Sequence, residues 1–158
     1  MQQYTWIYSL GQPLDTAAES RLRAGLEAFV QRWKTHGEPV RGAFDVRHGR
    51  FVLVQADPQD HRPSGCSIDS MRKAVEETLR AQDLSVLDPG ILFYRDAEGA
   101  ICQLHHRELK SAIETGLLHA GTPVFDHTLG QSDDLSRWEV PLSSTWMARF
   151  LKPEASKR

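Results

Sequence analysis

The chain has 158 residues, of which 40% are hydrophobic and 25% charged, and its formal net charge is -2. These values are typical of an ordinary globular domain that needs no disulfide or metal to fold. The small charge excludes an electrostatic reason for binding nucleic acid or an anionic membrane. No apolar run reaches signal-peptide or transmembrane length. We expect one cytoplasmic domain over 1–152 with two reduced cysteines, a disordered tail at 153–158, and an unidentified small molecule or protein as partner, its oligomeric state open.

The first half of the chain predicts a strand, a helix and a hairpin. Residues 4–10 alternate aromatic and polar positions, which indicates a strand. A helix follows, with Asp15 or Thr16 as N-cap and Gly37 as the residue that ends it. Its apolar stripe consists of Leu22, Leu26, Phe29, Val30 and Trp33. Residues 40–46 and 51–54 then predict a β-hairpin whose second arm, apolar on both faces, lies inside the sheet.

The second half predicts two more helices and a second hairpin. A helix starting at Ile68 buries a stripe of Ile68, Met71, Val75 and Leu79. Residues 91–94 and 100–104 flank a turn and indicate a hairpin. The next predicted helix, 107–118, has Leu109, Ile113 and Leu117 on its inner side. In the tail we expect a short strand at 124–125 and a helix N-terminus at 132–134, packed across the domain.

The order of these elements predicts the fold. Strand, helix, strand, strand, helix and strand follow one another, which is the split βαβ order of ferredoxin-like domains. We therefore expect an α+β fold with one antiparallel sheet and helices on one of its faces. An extra hairpin strand, a third helix and a C-terminal extension complete the prediction.

The candidate site is the run Ser64-Gly65-Cys66-Ser67-Ile68-Asp69-Ser70, which lies between the inner strand and a helix. Gly65 permits a tight turn, and the first N–H groups of the helix form a nest that suits an anion. The positive end of the helix dipole favours a thiolate, so Cys66 is a possible nucleophile. Asp69 and Ser70 in the first turn compete for the same N–H groups. The alternative is that Ser64 or Ser67 simply caps the helix and that Cys66 is a small buried apolar residue.

A catalytic cysteine needs a base, and no spacing selects one of the seven histidines. His61 is nearest in sequence, while His36 and His127 lie at element ends and are further possible bases. For each, the alternative is a surface or capping histidine. The sequence assigns no triad.

No metal site and no cofactor are predicted. Cys102, His105 and His106 are close in sequence, but Cys102 falls in a strand and no second ligand pair exists. The chain has no Walker A sequence, no G-x-G-x-x-G, no G-x-S-x-G, no H-E-x-x-H and no EF-hand loop. Nucleotide hydrolysis, Rossmann cofactor binding and zincin chemistry therefore have no support.

Among the four tryptophans, Trp33 belongs to an apolar stripe and is predicted to be structural. Trp146 is flanked by polar residues, and with Arg149 it is the one expected at the edge of a ligand site.

Three motifs carry a resemblance: Trp33-x-x-His36-Gly37, the run from Ser64 to Ser70, and Ser144-x-Trp146-x-x-Arg149-Phe150. Together they resemble a group of small uncharacterised bacterial proteins of similar length, which often carry an automatic label of ABC transporter ATPase. Such an ATPase needs a glycine-rich loop followed by Lys and Ser or Thr. No stretch of this chain supplies that lysine, so we keep the grouping and discard the label.

Two main hypotheses about function follow, beside a third in which the protein only assembles with itself or another chain through exposed aromatic residues of its tail. The first is a small binding or regulatory domain whose ligand or partner is met at the loop–helix junction 58–69. The second is a thiol-dependent enzyme with Cys66 as nucleophile or redox centre and backbone N–H groups near Ser67 as oxyanion donors.

Overall fold

A computed structural model describes residues 4–35, 37–57, 63–128 and 135–152. These residues form a mixed α+β structure with three α-helices and antiparallel sheets of three and four strands, besides a two-stranded hairpin. The predicted α+β class is therefore confirmed. The described residues fall into two compact units, the first up to Leu87 and the second from Asp88. Each unit has its own buried apolar cluster.

The first unit contains five strands and two helices among the described residues. They are β1 (Tyr4–Ser9), α1 (Thr16–Arg32), β2 (Lys34–Thr35), β3 (Glu38–Pro39), β4 (Gly42–Arg47), β5 (Phe51–Ala56) and α2 (Gly65–Arg80). The main sheet has the order β1-β5-β4 and is antiparallel throughout. β5 is the central strand and is buried on both faces, as its sequence predicts. His48 and Gly49 join β4 to β5 with φ of 56° and 59°, a pair of positive values that suits a tight hairpin.

The helix α1 starts and packs as predicted but ends earlier. Asp15 is its N-cap, because the Ala18 N–H donates to the Asp15 carboxylate at 2.7 Å. The prediction that Gly37 ends the helix is wrong, since α1 ends at Arg32 and the chain then forms the β2–β3 hairpin. Gly37 lies in the turn of that hairpin with φ of 81°, a conformation that favours glycine there too.

The second unit is built on the second sheet. Its elements are β6 (Ile91–Arg95), β7 (Ile101–His105), α3 (Leu109–Glu114), β8 (Pro123–Phe125) and β9 (Glu139–Pro141), and the strand order is β7-β6-β8-β9. The predicted hairpin is confirmed as β6–β7. Asp96 closes its turn by accepting from the N–H groups of Glu98 and Ala100, both at 2.9 Å. The predicted strand at 124–125 is confirmed as β8.

The third helix differs from its prediction. A 3₁₀ turn at 106–108 precedes it, and α3 stops at Glu114 because Gly116 takes φ of 81°. Leu117 is consequently 57% exposed rather than inward, and Leu118, 1% exposed, takes its place in the core.

The prediction of one sheet is also corrected. The strand at Ile91 pairs with β7 and β8 and not with β1. Beside β1 the described residues provide only a single antiparallel bridge, between Leu10 and Val86. The ferredoxin-like order is thus not confirmed. The predicted helix start at 132–134 and the tail 153–158 lie outside the described residues.

No helix in the described part of the chain combines the length and the apolar character needed to cross a membrane.

Candidate functional site

The candidate site is the first turn of α2, and hydrogen bonds between two serines stabilise its backbone. The helix begins at Gly65, three residues before the predicted start, so Cys66 and Ser67 lie in the helix and not in the loop before it. Ser64 is the N-cap, and its Oγ accepts from the Ser67 N–H at 3.2 Å. In return the Ser67 hydroxyl donates to the Ser64 carbonyl at 2.8 Å. The prediction that a serine caps this helix is confirmed for Ser64.

Trp33 fixes the same turn from inside. This residue follows α1, is 2% exposed, and donates its indole N–H to the Ser67 carbonyl at 2.9 Å. Trp6 meets its ring edge-on at 6.0 Å between centroids. A Cβ on Gly42 would lie 2.8 Å from the ring, so the glycine lets β4 approach it. Trp33 therefore ties the end of α1 to the start of α2.

The outer side of the turn is open. Gly65, Cys66 and Asp69 are exposed. The alternative in which Cys66 is a small buried residue is therefore wrong, because Cys66 lies on the exposed side of the first turn of α2. Asp69 does not use the turn's N–H groups, and its carboxylate lies 3.8 Å from the Arg72 guanidinium. Among the described residues, neither the Cys66 thiol nor the N–H groups of Gly65 and Cys66 have a hydrogen-bond partner.

The N–H groups of Gly65 and Cys66 are the hydrogen-bond donors that this turn presents to a ligand. They belong to the first helical residues, where no carbonyl of the helix can accept from them. The helix dipole places partial positive charge at the same end. The turn can therefore bind a group that accepts hydrogen bonds, such as a carboxylate, a phosphate or a backbone carbonyl.

Of the three predicted bases, one lies among the described residues. His36 and His61 lie outside the described residues. His127 belongs to the second unit, where its ring lies 6.0 Å from Phe93 and 6.1 Å from Trp138. Burial lowers the pKa of His127 to about 4, against the smaller opposing effect of Asp126. Its imidazole is therefore uncharged at neutral pH.

The Cys102, His105 and His106 cluster is held by structural contacts. Cys102 lies in β7, as predicted, with its Sγ 3.7 Å from the Asp96 carboxylate. The Nδ1 of His105 accepts from the Arg107 N–H at 3.2 Å, which uses it as a helix cap. Within the described residues, no group of three or more His, Cys, Asp or Glu side chains could hold a metal ion.

Trp146 and Arg149 form a small aromatic cluster with Phe150 in the second unit. The Arg149 guanidinium lies 5.3 Å from the centre of the Trp146 ring and 5.0 Å from that of Phe150. Cation–π attraction of this kind holds the charge over the two rings. The expectation of a ligand site at Trp146 and Arg149 stays a prediction.

Sequence reasoning missed the part that Trp33 plays at the site. Its apolar stripe correctly predicted burial, but burial alone does not say where the indole N–H donates. The available signal was chemical, because a buried tryptophan usually finds a hydrogen-bond acceptor. Here the acceptor is the carbonyl of buried Ser67 in the first turn of α2, and a pattern along the chain does not reveal which acceptor the indole reaches.

No protein-family model, no curated protein and no solved structure matches this chain.

Proposed function

We propose that the first unit is a binding or regulatory domain whose site is the loop–helix junction 58–69. Its described part is the first turn of α2. The observation that carries the proposal is the pair of N–H groups on Gly65 and Cys66, which have no acceptor among the described residues. The ligand would be a small molecule or a protein segment that presents a carboxylate, phosphate or carbonyl oxygen to them.

The way the turn is held supports this proposal. The Ser64–Ser67 pair and the Trp33 indole fix the backbone from the inner side. A ligand therefore meets donors already in position, and binding costs little ordering of the chain. The contact between Trp33 and Ser67 also joins two of the three motifs behind the resemblance, so in our proposal both motifs serve this site.

We further propose that the first unit follows an incomplete ferredoxin-like plan. The order β1-β5-β4 with helices after β1 and β5 corresponds to three of the four strands of that plan. The bridge from Leu10 to Val86 marks the position where its fourth strand would lie.

Two replacements of Gly65 test whether its N–H group binds the ligand without disturbing the fold. Gly65→Pro removes one N–H, and proline is favoured at the first position of a helix. Gly65→Ala is the matched control, because it keeps the N–H and its Cβ would meet no atom within 4 Å. With inorganic phosphate and acetate as probes, we expect Gly65→Ala to bind like the wild-type chain. Gly65→Pro should weaken binding about threefold to tenfold, the loss expected for one hydrogen bond. Equal binding by both variants, or no binding by the wild-type chain, would remove the proposal.

The second hypothesis, a thiol-dependent enzyme, is favoured by one observation, the exposed Cys66 thiol in the first turn of α2. In such an enzyme the Cys66 thiolate would attack a disulfide sulfur, which breaks the S–S bond and releases the other sulfur as a thiolate, or a carbonyl carbon, whose C=O π electrons move to oxygen before the leaving group departs. The same N–H groups would then face the negative charge of the intermediate. Alkylation kinetics, described below, separate this reaction from simple binding.

A further inference from the structure

Among the described strands, β1 lies at an edge of its sheet and has β5 as its one neighbour. On the β5 side, the Leu10 N–H donates to the Arg50 carbonyl at 2.9 Å. On the other side, the Ser9 carbonyl accepts from the Leu87 N–H, also at 2.9 Å. Backbone groups of successive residues in an antiparallel strand point to opposite sides. Thr5 and Ile7 therefore share the outer side with Ser9.

The outward-pointing N–H and carbonyl groups of Thr5 and Ile7 have no hydrogen-bond partner in the described part of the chain. There, the Leu10–Val86 bridge is the one pairing along this edge. Two N–H donors and two carbonyl acceptors are thus left over, in an alternating row. Natural edge strands are commonly protected by charge, proline or a bulge. Residues 4–10 contain no charged residue and no proline, and the β1–β5 register runs without a bulge.

We propose that a second copy of the chain pairs antiparallel with this edge, with the two-fold axis at Trp6. Thr5 of each copy then lies opposite Ile7 of the other. Each such pair exchanges two hydrogen bonds, so the four leftover groups of each copy are all used. Moving the axis to Ile7 would place Ser9 opposite Thr5, but the Ser9 carbonyl is already occupied by Leu87. Among pairings between described residues, the register centred on Trp6 is therefore the one that uses all four groups of each copy.

The side chains fit the same register. Tyr4, Trp6 and Tyr8 lie on the helix-covered face of β1 and are only partly buried. In the pair, Trp6 would face Trp6 of the second copy, and each Tyr4 would face a Tyr8. Aromatic cross-strand pairs stabilise antiparallel sheets, and the edge carries no charge that would repel its own copy. A second copy therefore satisfies both the backbone and the side chains of this edge.

Thr5→Pro tests the proposal with Thr5→Val as its matched control. Proline removes an outward N–H and leaves the β1–β5 hydrogen bonds intact, and edge strands tolerate proline at such positions. Valine keeps the N–H and the shape of the side chain. By sedimentation velocity over a concentration series of the full chain, we expect wild type and Thr5→Val to form dimers. Thr5→Pro should raise the dimer Kd by about tenfold or more, because two of the four hydrogen bonds are lost.

Amide hydrogen exchange of the wild-type chain supplies a second readout that does not depend on the folding of any variant. The Thr5 and Ile7 amides should gain protection as the protein concentration rises. The Leu10 amide, bonded within the chain, should keep the same protection throughout. A wild-type chain that stays monomeric up to high micromolar concentration, or a dimer whose Thr5 and Ile7 amides exchange freely, would overturn the proposal.

Discussion

At the scale of single residues, the two cysteines differ in their surroundings. Cys66 is exposed in the first turn of α2, whereas Cys102 is partly buried in β7 beside the Asp96 carboxylate. The carboxylate opposes a thiolate, and burial slows access of a reagent. With iodoacetamide at neutral pH, we expect Cys66 to react on the order of tenfold faster than Cys102. Mass spectrometry of Cys66→Ser and Cys102→Ser assigns each rate, and a faster Cys102 would contradict the described exposures.

Iodoacetamide also tests the hypothesis that the protein is a thiol-dependent enzyme. In the Cys102→Ser variant, Cys66 is the one remaining thiol, and its rate in urea-unfolded protein is an internal reference. An activated Cys66 should react at least about tenfold faster folded than unfolded at neutral pH. If folding brings no acceleration, the enzyme hypothesis is abandoned and the binding hypothesis stands alone.

His127 should make stability depend on pH. Its pKa is about 4 in the folded protein because of burial, and ordinary, near 6.5, in the unfolded chain. The unfolded state therefore binds more protons between these values, so stability falls as the pH drops from about 6.5 to about 4 and levels off below. The free energy of unfolding falls by about 3 kcal/mol at most over this range.

His127→Phe provides the control for this dependence, since phenylalanine cannot titrate and the neighbouring Phe93 and Trp138 rings are apolar. Urea unfolding at several pH values should show a flatter stability profile over this range for the variant. A wild-type profile as flat as that of the variant would show that His127 is not buried as described.

At the scale of elements, the link between α1 and α2 rests on one indole. Trp33→Phe keeps most of the ring but removes the donor to the Ser67 carbonyl. We expect the free energy of unfolding to fall by about 1 to 2 kcal/mol, from the lost hydrogen bond and a small cavity. Ser70→Ala, which removes an exposed side-chain bond to the Cys66 carbonyl in the same helix turn, should change it by less than about 0.5 kcal/mol. Equal effects would mean that Trp33 does not hold the turn.

The elements themselves were largely predictable, because each has a local signal. Alternation predicted β1 and the two hairpins, and the apolar spacing predicted the buried sides of α1 and α2. The pairing of strands was not predictable in this way. Nothing local distinguishes a strand at Ile91 that completes the first sheet from one that pairs with β7 and β8, since both need the same alternating pattern.

The candidate site was predictable in position but not in detail. The serine and glycine before an amphipathic stripe indicated a helix start, and Ser64 is indeed the cap. The exposure of Cys66 was not predictable, because the sequence does not say whether Cys66 belongs to the loop or to the helix, and the structure places it on the exposed side of α2. The contact from Trp33 to Ser67 spans 34 positions in sequence and has no signature in either segment.

At the scale of the whole molecule, urea unfolding can show whether the chain unfolds in one cooperative transition or in two. The prediction of one domain over 1–152 stays a prediction beside the two compact units. The second unit has fewer than 70 residues, and a unit of that size is marginal on its own because a small core buries too little surface. We therefore expect one urea transition, with far-UV circular dichroism and tryptophan fluorescence coinciding. Two separated transitions would contradict the one-domain prediction.

The most direct test of the proposed binding site is an amide-resolved NMR titration of the wild-type chain with inorganic phosphate. The N-terminus of α1 is the internal control, because the Asp15 carboxylate caps it and Glu19 adds a second negative charge there. We expect the amide signals of Gly65 and Cys66 to shift first and to saturate together, while those of Thr16 and Ala17 stay in place. Equal shifts at both helix N-termini, or none at Gly65 and Cys66, would contradict it.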